Sequence, residues 1–148
     1  MNTILIVDDE RSILELLSVI LKKEGYAVLV NPGTPSIYED IEQKEFDLVI
    51  SDIKMPQVDG MEVLRRVKAE KPTVPVIMIT AYASVKQAVE ALRLGAMDYI
   101  MKPFDIEEIK VLVANGLEHR RLVEENKILK QALREETGFE NMIGKSRP

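Results

Sequence analysis

Carboxylate, hydroxyl and ammonium side chains follow short apolar runs at four places in this 148-residue sequence. Asp8 and Asp9 follow the first run, Asp52 follows a later one, and Thr80 and Lys102 follow two more. Three carboxylates in one small site would repel one another, and a divalent cation with oxygen ligands, most naturally Mg2+, would relieve that repulsion. A carboxylate nucleophile, a metal, a cation and a neutral donor together have the chemistry that transfer of a phosphoryl group requires.

The apolar runs and the segments between them predict alternating strands and helices. Short β-branched runs alternate with longer stretches of helical period, which is typical of a doubly wound α/β fold with a parallel sheet. Strands are predicted at Thr3–Val7, Ala27–Val30, Phe46–Ser51, Val76–Ile79 and Asp98–Met101. Helices are predicted at Glu10–Glu24, Pro35–Lys44, Asp59–Glu70, Ser84–Leu94 and from Asp105 onward.

Such a fold would bring the polar side chains to one edge of the sheet. Ligands of doubly wound sheets bind outside the carboxyl ends of the strands, where the strand order reverses. Taken singly, Asp9 could cap a helix, Thr80 could cap a turn and Lys102 could be a solvated charge. Because these side chains follow four different predicted strands together with Asp8 and Asp52, a shared site is favoured.

Composition and charge exclude several classes of protein. The chain is 30% charged and 46% hydrophobic and has no cysteine, which excludes disulfide scaffolds, zinc ribbons and thiol catalysis. Its longest apolar runs are far shorter than the roughly 20 residues of a membrane helix, so no membrane contact and a cytoplasmic location are expected. Residues 1–117 carry 13 basic and 19 acidic residues, a net charge of -6, which disfavours direct contact with nucleic acid.

Four motifs resemble the receiver domain of response regulators in two-component signalling. They are Val7-Asp8-Asp9-Glu10, Ser51-Asp52-Ile53-Lys54-Met55-Pro56 with Asp59-Gly60, Ile79-Thr80-Ala81, and Asp98-Tyr99 with Lys102-Pro103-Phe104. Their order and spacing match the family over about residues 1–116. The resemblance implies a flavodoxin-like five-stranded parallel sheet with strand order 2-1-3-4-5, and a signalling switch rather than an enzyme with a separate substrate.

The resemblance also implies a role for each residue of the site. Asp52 would accept the phosphoryl group from a sensor histidine kinase. The Mg2+ ligands would be Asp8, Asp9, Asp52 and the backbone carbonyl of Lys54.

The remaining implied roles concern the response to phosphorylation. Lys102 would pair with the phosphoryl oxygens, and the backbone of Ala81 would also contact them. Thr80 would move toward the phosphoryl group while Tyr99 changes rotamer. The bond between Lys102 and Pro103 would be cis.

The last predicted helix is too long for the domain that it follows. From Asp105 to Glu136 there is no proline and only one glycine, and a helix of about 32 residues would extend roughly 48 Å. We therefore predict a receiver domain over residues 1–117, a helical linker over 118–136 and an irregular tail over 137–148.

The linker carries a short heptad pattern. Leu122, Asn126, Leu129 and Leu133 are separated by four, three and four residues, with Asn126 at an a position. Five acidic and five basic residues between Glu118 and Glu136 suit the exposed flanks of such a helix. The pattern predicts a parallel homodimer through the linker, with a solvated single helix as the alternative.

The tail carries a second resemblance. Phe139-Glu140-Asn141-Met142-Ile143-Gly144-Lys145-Ser146 is similar to the start of the AAA+ domain in sigma-54-dependent (NtrC-type) transcription activators, which implies a transcription-activating output domain beyond this chain. A stand-alone receiver acting through partner proteins is the alternative.

A phosphatase of the haloacid dehalogenase type would need Asp-x-Asp after the first strand, where this chain has Asp8-Asp9. A flavodoxin-like cofactor carrier would need phosphate-binding amides where this chain presents negative charge.

Overall fold

The computed structural model contains one five-stranded parallel sheet with helices on both faces. It describes residues 1–82 and 84–144, and the side chains of these residues through residue 133. The strands are β1 Thr3–Val7, β2 Ala27–Asn31, β3 Leu48–Asp52, β4 Val76–Thr80 and β5 Asp98–Met101. The helices are α1 Arg11–Lys23, α2 Ile37–Gln43, α3 Gly60–Glu70, α4 Val85–Arg93 and α5 Ile106–Gly144. The sheet order β2-β1-β3-β4-β5 confirms the predicted order.

The central strands are buried on both faces, which explains their nearly unbroken apolar sequences. In β1, Leu5 and Val7 pack into one core, and Ile4 and Ile6 pack into the other. Residues of α2 and α3 cover the first core, among them Ile37, Ile41, Val63 and Leu64. Residues of α1 and α5 cover the second, among them Leu14, Leu17, Ile109 and Val113.

Three strands extend one residue further than the sequence predicts. Asn31, Asp52 and Thr80 pair through the sheet register, opposite Val7, Ile79 and Met101 respectively. A polar side chain does not end a strand, because the backbone groups of the ladder form hydrogen bonds whatever the side chain is. Asp52 and Thr80 are therefore held by the sheet itself rather than by the loops that follow it.

The predicted start of the third strand at Phe46 was wrong. The strand begins at Leu48, and Phe46 lies in the preceding loop with its ring buried against the first core. Lys71 Nζ lies 5.1 Å from the centre of that ring. An aromatic residue can therefore contribute to the core from outside the strand.

Helix α5 extends beyond the domain core. Leu117 is its last buried residue among those described, whereas Leu122 and Leu129 are 50% and 62% exposed. Arg120 forms an ion pair with Asp47, which precedes β3, and so attaches the emerging helix to the domain. No helix in the described part of the chain is long and apolar enough to cross a membrane.

The predicted end of this helix at Glu136 was also wrong. Helix α5 continues to Gly144, through the first part of the segment predicted as an irregular tail. Gly138 does not interrupt it, because a glycine inside a helix costs only about 1 kcal/mol relative to alanine. Residues 145–148 lie outside the described residues.

Gly60 allows α3 to begin directly against the backbone of the site. A Cβ atom at this position would lie 2.1 Å from the carbonyl oxygen of Asp52 and 2.6 Å from Cα of Ile53. The side chain of Asp59 caps the same helix by accepting a hydrogen bond of 2.9 Å from Met61 N–H. The close approach of Gly60 therefore sets the position of the loop that follows Asp52.

We expect Gly60→Ala to destabilise the domain by about 1–3 kcal/mol or more, because the added methyl group meets backbone atoms that cannot turn away. Gly116→Ala is the matched control, since its Cβ would meet only the ends of the Leu48 and Met97 side chains. Urea unfolding of both variants measures the effect. Equal stability losses in the two variants would contradict this explanation.

Candidate functional site

Three strand ends, those of β1, β3 and β5, contribute side chains to one cluster at the carboxyl edge of the sheet. Lys102 Nζ lies 3.0 Å from Asp8 Oδ2, 3.1 Å from Asp52 Oδ2 and 2.8 Å from Glu10 Oε1. Thr80 ends the neighbouring strand β4. The structure therefore brings together Asp8, Asp52 and Lys102, which the sequence singled out, and adds Glu10, which it did not.

The backbone of Glu10 explains why this residue reaches the site. The sequence predicts it as the first residue of a helix, but it is the N-cap residue of α1, in an extended conformation with φ -87° and ψ 112°. Its N–H donates a hydrogen bond of 2.8 Å to Asp8 Oδ1, and its own carboxylate contacts Lys102. The one sequence signal for this role was its place directly after the acidic pair.

Burial strongly affects the charges in this cluster. The side chain of Asp8 is fully buried, and those of Asp52 and Lys102 are 7% and 9% exposed. Burial raises the pKa of Asp8 above its usual value, although the Glu10 N–H and Lys102 act in the opposite direction. Burial likewise raises the pKa of Asp52; Lys102 opposes this increase and the charge of Asp9 adds to it.

The charge of Lys102 is stabilised by its neighbours. Burial by itself would lower the pKa of this lysine. The hydrogen bond to Glu10, with the close negative charges of Asp8 and Asp52, outweighs burial and holds the pKa above its usual range. Lys102 is therefore a permanent cation among three carboxylates.

The raised pKa values predict how stability depends on pH without metal. Folded Asp8 and Asp52 keep their protons at a pH where the unfolded groups, with a reference pKa of 3.8, have lost them. The folded state then binds more protons, so the contribution of both groups to stability falls as pH rises from 3.8 through their folded pKa values. We expect Asp8→Asn, measured in EDTA, to melt a few degrees above wild type at pH 7 and to lose this advantage near pH 4. An advantage that is the same at both pH values would contradict the assignment.

The carboxylate cluster fits a small divalent cation. Oxygens of Asp8, Glu10 and Asp52 all lie within 4.8 Å of one another. Asp8 Oδ2 is buried and makes no hydrogen bond, because its contact with Lys102 lacks hydrogen-bond geometry. Hard oxygen donors with excess negative charge are the ligands that Mg2+ prefers, so the acidic pocket is compatible with Mg2+.

Asp9 and Lys54 lie beside this cluster, in an open cleft. The cleft has a volume of about 830 Å³ and is also lined by Met55, Tyr82 and Gln87. Lys54 Nζ lies 5.5 Å from the centre of the Tyr82 ring, which is 64% exposed. The two side chains thus meet in the cleft that Asp9 also lines.

Thr80 and Tyr99 both contact the backbone of Tyr82. The fully buried Thr80 accepts a hydrogen bond of 3.1 Å from Tyr82 N–H. Tyr99 donates its phenolic hydrogen to the carbonyl oxygen of Tyr82 at 3.4 Å. Ala81, between Thr80 and Tyr82 in the chain, is exposed. The peptide bond between Lys102 and Pro103 is cis, as the resemblance implies. The loop after β4 therefore connects the two predicted switch residues.

Comparison with known protein families agrees with this geometry. Residues 4–114 match the family model for the response regulator receiver domain. The chain belongs to this family. Receiver domains are signalling switches, and this membership decides against the phosphatase and cofactor-carrier interpretations.

The chain resembles transcriptional regulatory proteins in sequence and other receiver domains in structure. It is 43% identical to the transcriptional regulatory protein ZraR of Klebsiella oxytoca over 122 residues, which are 82% of this chain and 27% of that protein. A CheY-like receiver from Methanospirillum hungatei shares 35% identity with a TM-score of 0.79, covering 82% of this chain and 97% of that one. The beryllofluoride-activated NtrC4 receiver dimer shares 33% identity with a TM-score of 0.77, covering 81% and 99%. The chain spans less than a third of the curated relatives that it matches.

Proposed function

We propose that this receiver domain is a switch that accepts a phosphoryl group on Asp52 from a sensor histidine kinase. The observation that carries the proposal is the Asp52 carboxylate, held at a strand end, 3.1 Å from the permanent cation Lys102 and beside an open cleft. In the transfer, a bond forms between phosphorus and an Asp52 oxygen while the bond to the kinase histidine breaks. Lys102 favours the ionised, nucleophilic form of Asp52.

We propose that Asp8, Asp9, Asp52 and the backbone carbonyl of Lys54 hold Mg2+. When bound, Mg2+ would neutralise negative charge on the phosphoryl oxygens during transfer. Asp8 is fixed for this role by the hydrogen bond from Glu10 N–H. Asp9 is exposed and lines the cleft, and its charge already acts on Asp52.

The response to phosphorylation would start at Thr80. Lys102 and the backbone N–H of Ala81 would bind phosphoryl oxygens. The Thr80 hydroxyl, which donates to the Tyr82 carbonyl oxygen at 3.4 Å, would donate to a phosphoryl oxygen instead. That exchange releases the backbone of Tyr82, whose carbonyl accepts the hydrogen bond from Tyr99. The rotamer of Tyr99 is thereby coupled to the state of Asp52.

The output of the switch would lie in attached domains. The relatives that the chain matches are transcriptional regulators more than three times its aligned length, which supports an attached transcription-activating domain of the NtrC type. We propose residues 1–117 as the receiver, 118–136 as a linker that pairs two copies, and 137–148 as the approach to an AAA+ domain.

The proposal is tested with acetyl phosphate and Mg2+ as the phosphoryl source. Intact-mass spectrometry should detect one added phosphoryl group per chain, and hydroxylamine, which cleaves acyl phosphates, should remove it. EDTA should prevent the addition. A chain that stays unmodified under conditions in which another receiver is phosphorylated would contradict the proposed function.

We also expect the phosphorylated protein to lose its phosphoryl group slowly. Water must approach past Lys54 and Tyr82, and neither side chain is a small carboxylate or amide suited to orient it. Tyr82→Ala should accelerate the loss roughly tenfold, a barrier change of about 1.4 kcal/mol, because the ring no longer covers the approach. Tyr82→Phe keeps the ring and should decay like wild type. An unchanged rate in Tyr82→Ala would argue against shielding.

A further inference from the structure

The ammonium group of Lys102 lies among three carboxylates. Its Nζ donates hydrogen bonds of 2.8 and 3.1 Å to Glu10 and Asp52, and it lies 3.0 Å from Asp8 Oδ2. Because the Lys102 side chain is only 9% exposed, a phosphoryl oxygen that pairs with it must compete with these carboxylates for the ammonium group.

Burial and side-chain length identify the carboxylate that moves away from Lys102. Asp8 is fully buried and Asp52 is 7% exposed, and both are held at strand ends. Asp52 also carries the phosphoryl group, so it stays beside Lys102 in any case. The Glu10 side chain is 52% exposed, has one more methylene than aspartate and lies at the start of α1. Glu10 alone of the three can move into solvent without leaving a buried charge unpaired.

We propose that Glu10 is a positioning residue: its carboxylate binds the Lys102 ammonium group before phosphorylation, and the phosphoryl group then displaces it. This inference rests on the proposed function of Asp52. The carboxylate of Glu10 is an internal anion that competes for the same donor, so it lowers the affinity of the site for the phosphoryl group. It also keeps Lys102 directed toward Asp8 and Asp52 until that group arrives.

A role for Glu10 as a metal ligand predicts the opposite result. Its carboxylate lies close enough to those of Asp8 and Asp52 to share a cation with them. Removing a ligand would weaken Mg2+ binding and, with it, the binding of a phosphoryl analogue. Removing a competitor leaves Mg2+ binding unchanged and strengthens binding of the analogue.

Beryllofluoride, an analogue of the phosphoryl group, distinguishes these roles. It is titrated in saturating Mg2+, and its binding is followed through the amide NMR signals of Thr80 and Tyr82. Glu10→Gln should bind it roughly three- to tenfold more tightly, because one charge-assisted hydrogen bond to Lys102 no longer has to be broken. Glu10→Asp keeps the charge but shortens the reach, so it should resemble Glu10→Gln if contact with Lys102 is the cause. Glu15→Gln removes an exposed charge that pairs with Arg11 on the same helix, and it should resemble wild type.

Two further measurements complete the test. In a Lys102→Ala background, Glu10→Gln should no longer strengthen beryllofluoride binding. In all Glu10 variants, the Mg2+ affinity measured without beryllofluoride should equal that of wild type. Weaker Mg2+ binding in Glu10→Gln, unchanged beryllofluoride binding, or a Glu10→Asp variant that behaves like wild type would each overturn the inference. Failure of the wild type to bind beryllofluoride would instead contradict the proposed function of Asp52.

Discussion

Asp52→Asn is expected to abolish phosphorylation by acetyl phosphate, with a loss of at least about a thousandfold in rate. The substitution keeps the shape of the side chain but replaces the nucleophilic oxygens by a neutral amide. Because the amide carries no charge, it also removes one of the three carboxylates around Lys102. Intact-mass spectrometry after incubation with acetyl phosphate and Mg2+ measures the loss directly.

Asp59→Asn is the matched control for this experiment. Asp59 lines the same cleft, and asparagine caps a helix about as well as aspartate, so the bond to Met61 N–H can persist. This variant should be phosphorylated like wild type. Phosphorylation of Asp52→Asn at the wild-type rate would exclude Asp52 as the acceptor.

Lys102→Ala separates acceptance of the phosphoryl group from the response to it. The nucleophile remains, so the variant should still gain a phosphoryl group, more slowly. Without the cation that binds the phosphoryl oxygens, the amide signals of Thr80 and Tyr82 should shift much less on phosphorylation. A full wild-type shift in Lys102→Ala would mean that the response does not pass through this lysine.

The sheet could be predicted because burial leaves a strong pattern in the sequence. Strands covered by helices on both faces read as unbroken apolar runs such as Ile4 to Val7, and parallel connections place their carboxyl ends on one edge. That reasoning alone brings Asp8, Asp52 and Lys102 together, although they are far apart in the chain. The exact strand ends could not be predicted, because Asp52 and Thr80 are polar and pair through backbone atoms.

The finer features of the site depend on conformations that the sequence does not encode locally. Glu10 reaches Lys102 only because its backbone is extended before α1, whereas its residue type is equally suited to a helical first turn. The contact of Lys54 with Tyr82 joins two loops from different strands, and hydropathy carries no signal for it. The end of α5 was missed for a different reason: Gly138 is typical of a helix end, yet α5 continues through it to Gly144.

The second large effect is expected at the linker helix, where Leu129→Lys should dissociate a homodimer. Leu122 and Leu129 are half-exposed or more, on a helix that has left the domain core. Pairing of two such helices in parallel would bury both leucines together with the heptad positions Asn126 and Leu133. A lysine in the seam would place two ammonium groups against each other in an apolar interface.

Charge and polarity favour the parallel arrangement in register. With Asn126 at an a position, Glu125 falls at g and Lys130 at the next e, so the two would face each other across a parallel pair. Asn126 would meet its counterpart, which specifies two strands at some cost in stability. Both receivers would then lie at the same end of the pair, where phosphorylation of Asp52 can change how they pack.

Sedimentation equilibrium on the full 148-residue chain tests this arrangement. Wild type should be a dimer, whereas Leu129→Lys and a chain ending at Leu117 should be folded monomers with the circular dichroism of the receiver domain. Ile128→Lys is the matched control: Ile128 is as exposed as Leu129, at 65%, but lies at a c position outside the seam, so this variant should remain dimeric. A wild-type monomer at tens of micromolar, or a dimer unaffected by both Leu129→Lys and the truncation, would remove the linker from the mechanism. Dissociation by Ile128→Lys as well would mean that the helices pair through a different face.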